Sequence, residues 1–117
     1  MKVKAEIVID ADRETIWRHL DRAAGKPLWR PTTVTEKRSP DFIAGVYESA
    51  SRKAVVVNHF QTIDENHTRW IVFANHRVGG LAAIRSLLGR NTLARETEDD
   101  MQRFKLLVES RIAERTT

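Results

Sequence analysis

The sequence predicts an α+β domain made of an antiparallel sheet and one long C-terminal helix. Three stretches carry that prediction. Residues 2–9 alternate apolar and polar side chains with the period of a strand. Residues 54–63 and 68–78 do the same on either side of the turn-forming Asp64-Glu65-Asn66-His67, which makes a hairpin. From residue 81 to 114 the period changes to that of a helix, with Ile84, Leu88, Met101, Phe104, Val108 and Ile112 on one face.

Taken in order, the first strand puts Val3, Ala5, Ile7 and Ile9 on one face and Lys2, Lys4, Glu6 and Val8 on the other. A helix follows over 11–24, with Asp10 or Asp12 placed to cap its free amides. Ile16, Trp17 and Leu20 form its buried stripe, and Gly25 and Pro27 stop it. Residues 32–38 and 42–50 read as two further strands joined by a Ser39-Pro40-Asp41 turn, and Gly45 marks a bulge or a close backbone approach. In the hairpin, Ala54, Val56, Asn58, Phe60, Trp70, Val72, Ala74, His76 and Val78 share the inward face. Gly79-Gly80 ends the sheet. Gly89 and Asn91 predict a kink or a break in the C-terminal helix, since glycine is about 1 kcal/mol worse than alanine mid-helix. The acidic run Glu98-Asp99-Asp100 reads either as a restart of that helix or as a solvated face.

Composition narrows the function. The 117 residues fit one domain, 1–117, and 41% hydrophobic with 31% charged residues is ordinary for a folded globule. There is no cysteine, which excludes disulfides and thiolate zinc sites and fits the reducing cytoplasm expected here. The N-terminal residues lack the apolar core of a signal peptide, and no apolar run approaches the ~20 residues of a membrane helix. The net charge of +4 arises from 20 basic residues interleaved with 16 acidic ones, so no nucleic-acid partner is expected. His19, His59, His67 and His76 are scattered rather than set at ligand spacing; no metal site and no cofactor are expected.

Four stretches resemble the START-like, or polyketide cyclase/dehydrase-like, superfamily, which includes the birch-pollen allergen family. Ile7 through Trp17 is similar to that family's first strand running into a helix with Ile-Trp near its start. Leu28-Trp29-Arg30-Pro31 looks like its Trp-x-Pro turn. Phe60 to Asp64 followed by Thr68-Arg69-Trp70 resembles its final hairpin. Gly80-Leu81 through Glu109 resembles its C-terminal helix. Together they span nearly the whole chain. The resemblance implies a helix-grip fold with a cavity between the sheet and the C-terminal helix. It also shows a departure: family members carry two more strands after the Trp-x-Pro turn, and here Thr33–Arg38 follows Pro31 almost at once. Removing those two strands leaves five, in order 1-5-4-3-2, with newly exposed edges that favour pairing into a homodimer.

The function implied is binding of a hydrophobic, lipid-like or polyketide-like small molecule without chemistry. Trp29, Asn58, Phe60, Trp70, Val72, His76, Leu88, Met101 and Phe104 are the expected ligand-facing residues. The alternative is a cyclase or dehydratase, for which His76 and Asn58 are the catalytic candidates, as inward polar groups able to hold a carbonyl or move a proton. Each has a plainer reading, a core polar group satisfied by its neighbours. Trp29, Trp70, Met101 and Phe104 read equally as core packing. A third reading is an interaction module that assembles through its sheet edges and has no usable cavity.

Overall fold

The computed structural model describes the backbone over residues 1–77 and 81–116, and side chains over 1–77 and 91–114. Val78, the Gly79-Gly80 pair and the side chains of Ile84 and Leu88 lie outside the described residues. The elements are β1 (Lys2–Ile9), α1 (Arg13–His19), a 3₁₀ turn (Leu20–Arg22), β2 (Thr33–Arg38), β3 (Phe42–Glu48), β4 (Lys53–Asp64), β5 (His67–His76) and α2 (Leu81–Thr116). The strands form one antiparallel sheet in the order β1-β5-β4-β3-β2, as the sequence predicts.

Alternation decides which face of the sheet is covered. Residues opposite one another in an antiparallel sheet share a face. The register makes one inward row from Ala5 to Val72, Asn58, Ile43 and Lys37, crossing all five strands. The neighbouring inward row joins Ile7, Trp70 and Phe60. Ala5, Ile9, Val56, Phe60, Trp70 and Val72 on this face are buried, together with Met101, Phe104 and Val108 of α2. The opposite face leaves Val8, Val55 and Phe73 exposed.

Two local expectations are corrected. The C-terminal helix runs as one element from Leu81 to Thr116 through Gly89 and Asn91, and is not divided into two helices. One glycine costs about 1 kcal/mol; the buried stripe Met101, Phe104 and Val108 further along holds the helix as a unit. Asp12 occupies the N-cap position of α1, but its carboxylate makes no capping bond; the Asp12 carbonyl accepts the Ile16 amide at 3.1 Å instead.

Gly45 is a close approach. A Cβ there would run into the Thr33 carbonyl oxygen and lie 2.8 Å from the Pro31 Cβ. The chain leading into β2 therefore crosses β3 at a point only glycine allows. In β2 itself the register shifts between Val34 and Glu36: Val34 faces Gly45, whereas Glu36 faces Ala44 and Lys37 faces Ile43. Thr35 is the extra residue of this bulge.

Candidate functional site

The space inside the sheet divides into a filled part and an open part. Beneath α2 it is filled. Trp29 meets Trp70 edge-on with centroids 5.1 Å apart and Phe104 at 5.0 Å. Trp70 in turn contacts Phe104 at 5.5 Å and stacks on Phe60 at 5.6 Å. Such ring pairs add about 0.5–1.5 kcal/mol each beyond the area they bury. Trp70, Val72 and Met101 are wholly buried and belong to this packed core.

The open part lies beside it, between α1 with its 3₁₀ turn and the β2-β3-β4 end of the sheet. This slot holds about 390 Å³. Trp17, Leu20, Trp29, Val34, Ile43 and Phe60 supply its apolar walls, and Arg18, Asp21, Arg30, Lys37 and Asn58 its polar groups. Of the residues expected from sequence to face a ligand, Trp29, Asn58 and Phe60 meet here. Phe104 instead borders a wider groove of about 420 Å³ on the other side of the Ala23–Trp29 segment. That groove is more open to water, and Arg22, Ala23, Ala24, Lys26, Asp100 and Arg103 make up much of its lining. The slot is the better enclosed of the two and the one with three aromatic walls.

The segment roofing the slot is tied down residue by residue. The Arg30 guanidinium donates to the carbonyls of Ala23 (2.8 Å), Gly25 (2.6 Å) and Leu20 (3.4 Å). The Leu28 amide donates to Asp100 of α2 at 2.9 Å, and the Tyr47 hydroxyl donates to the Lys26 carbonyl at 3.1 Å. Asn58 completes the set. Its amide donates to the Trp29 carbonyl at 2.8 Å and to the Ile43 carbonyl at 3.4 Å, while its Oδ1 accepts the Trp70 indole N–H at 2.9 Å. A buried amide with three protein partners is positioned and satisfied. The indole N–H of Trp29 is buried with no acceptor among the described residues.

His76 is buried at the far end of β5, opposite Ala54, and does not line the slot. Its Nε2 has no hydrogen-bond partner among the described residues. Burial pushes its pKa down, and the nearby Arg52 guanidinium and the Met1 amino group reinforce that shift against an opposing Glu96. Arg52 and Glu96 pair at 2.6 Å, which raises the Arg52 pKa. His59 sits on the outer face between Phe42 and Phe73. His19 donates from Nδ1 to the Thr15 carbonyl at 2.8 Å. His67 pairs with Asp64 in the hairpin turn, which raises its pKa. Among the described residues no group of three His, Asp or Glu side chains gathers into a metal-holding cluster.

Sequence reasoning missed Val34 and Lys37 as slot residues, because strict alternation puts residues three apart on opposite faces. The bulge at Thr35 reverses that and turns both inward. Trp17, expected in the buried stripe, is half-buried, edge-on to Phe60 at 6.3 Å, with the Lys37 ammonium 5.5 Å over its ring.

No protein-family model matches the chain, and no curated protein matches its sequence. Solved structures do match. A conserved protein from Geobacillus kaustophilus superposes with a TM-score of 0.63 at 15% identity, covering 94% of this chain and 96% of that one. A protein from Thermus thermophilus gives 0.56 at 12% identity, over 94% and 98%. The likeness is one of fold: a five-stranded antiparallel sheet with a short N-terminal helix and a long C-terminal one, of the helix-grip kind. A START superfamily protein from Mycobacterium smegmatis also aligns, with a TM-score of 0.49 at 15% identity over 93% and 97%. In this chain the helix-covered part of the sheet's inner face is occupied by Trp29, Trp70 and Phe104. No described helix is long and apolar enough to cross a membrane.

Proposed function

We propose that the chain, acting as one domain, binds an apolar small molecule in the slot beneath α1 and leaves it chemically unchanged. The observation carrying this reading is the slot itself: about 390 Å³, with Trp17, Trp29 and Phe60 as aromatic walls. Small-molecule sites generally run from about 300 to 1,000 Å³, with apolar walls and a few placed polar groups. The START-like fold agrees with such a role. A cyclase or dehydratase reading would need a polar group free to work on the ligand. Asn58 is already held by Trp29, Ile43 and Trp70, and His76 lies outside the slot.

The test is a fluorescence titration with the neutral apolar probe N-phenyl-1-naphthylamine, on the native chain and on Val34→Trp. Val34 is 50% exposed at the slot mouth, so a larger ring there blocks entry while the core stays intact. Saturable binding to the native chain that is lost in Val34→Trp is the expected result. Equal binding to both proteins, or none to either, would remove the slot as the binding site.

A further inference from the structure

We propose that the slot selects amphipathic anions, meaning a flat apolar body carrying one negatively charged group, with Lys37 as the residue that reads the charge. This rests on the slot being a binding site for apolar molecules and adds the ligand's charge to that reading.

The slot's walls are apolar but its charged groups are not balanced. Arg18, Arg30 and Lys37 line it against a single carboxylate, Asp21. The three cations are not equivalent. Arg30 gives its guanidinium to three backbone carbonyls and faces the Trp29 ring at 5.9 Å, so it is a structural clamp. Arg18 is exposed and donates to the Thr15 hydroxyl at 3.2 Å. Lys37 makes no ion pair among the described residues, whereas its neighbours Glu36 and Arg38 approach one another at 3.8 Å. Its contact is the Trp17 ring, 5.5 Å away, which holds the ammonium over the slot's aromatic wall.

The backbone explains why the charge is there. Without the bulge at Thr35, Lys37 would face outward with the solvated charges of β2. With it, Lys37 stands opposite Ile43 and ends the inward row that begins at Ala5 and passes through Asn58. An irregularity in an edge strand thus places a lysine beside apolar rings. A molecule whose rings lie along Trp17, Trp29 and Phe60 would leave its polar end at the mouth, within reach of this ammonium. A carboxylate or sulfonate there would keep part of its hydration and gain a cation. A neutral molecule of the same shape would gain only the walls.

The experiment compares two probes that share one ring system, 1-anilinonaphthalene-8-sulfonate and the neutral N-phenyl-1-naphthylamine, on the native chain, Lys37→Gln, Lys37→Arg and Val34→Trp. Lys37 is exposed, so its variants should fold; thermal unfolding checks this. Lys37→Gln is expected to weaken the sulfonate about fivefold, as befits a partly exposed charge pair, and to change the neutral probe by less than about twofold. Lys37→Arg should restore sulfonate binding. Sulfonate affinity of the native chain should also fall with added salt, while the neutral probe's should not. If Lys37→Gln weakens both probes alike, or neither, the charge selection is wrong though the slot still binds. If neither probe binds the native chain, or Val34→Trp binds both as well as it does, the slot reading fails and the selection fails with it.

Discussion

The inner surface of the sheet is built in two ways. Under α2, on the β1-β5 side, Trp70, Phe104 and Met101 interlock and leave no room. On the β3-β2 side, Ile43 and Val34 face a slot of about 390 Å³. The sheet continues without interruption from one side to the other, so hydrogen bonding does not make the difference. What differs is the cover. The long helix packs closely along β1, while the short α1 and its 3₁₀ turn bridge the other side and stand off it. Filling space with large rings stabilises; leaving space beneath a short helix creates a place for a ligand at some cost in stability.

That contrast predicts unequal responses to truncation. Phe104→Ala should cost about 3–5 kcal/mol, since it removes a buried ring that touches both Trp29 and Trp70. Val34→Ala, at the slot mouth, should cost less than about 0.5 kcal/mol. Urea unfolding of both variants measures the difference, and similar losses would mean that the two sides are packed alike. Gly45→Ala comes next, at about 1–3 kcal/mol, because the added methyl meets the Thr33 carbonyl and Pro31. Hydrogen exchange should show that loss concentrated in β2; a uniform loss would contradict a local clash. Asn58→Leu is expected to cost about 1–3 kcal/mol as well, because the Trp70 indole N–H and the Trp29 carbonyl lose their shared partner. It sits on the boundary between the two sides, so tryptophan emission should shift along with stability.

The filled side was much more legible in the sequence than the open one. Alternation along residues 54–63 and 68–78 placed Asn58, Phe60, Trp70, Val72 and His76 on the inner face, where they are buried. The strand order 1-5-4-3-2 is the one that the resemblance to the START-like superfamily implied. Period alone cannot say whether an inward ring lines a hollow or fills it. Trp70 and Met101 therefore looked like pocket walls and are core. The slot depends on two features that carry no compositional signal, the bulge at Thr35 and the stand-off of a seven-residue helix. Lys37 gave no sign of facing inward, because its direction turns on one unpaired backbone residue. The unbroken course of α2 through Gly89 was hidden for a related reason: a local propensity argument gave way to packing further along the helix.

The smallest expected effect concerns pH at the two ends of β5. His76 is buried, and desolvation with the Arg52 charge lowers its pKa from 6.5. The unfolded chain therefore takes up a proton that the folded chain resists, and stability falls as pH drops below about 6.5. His67 is half-exposed beside Asp64 and Asp10, and its raised pKa has the opposite sense. Its contribution is complete at low pH and fades as pH climbs through its folded value. Melting temperatures recorded between about pH 5 and pH 8 separate the two. His76→Leu should flatten the acid-side decline, and His67→Asn should steepen it. A decline unchanged in His76→Leu would place the acid sensitivity elsewhere, and would mean that water reaches the Nε2 atom at the end of an otherwise closed core.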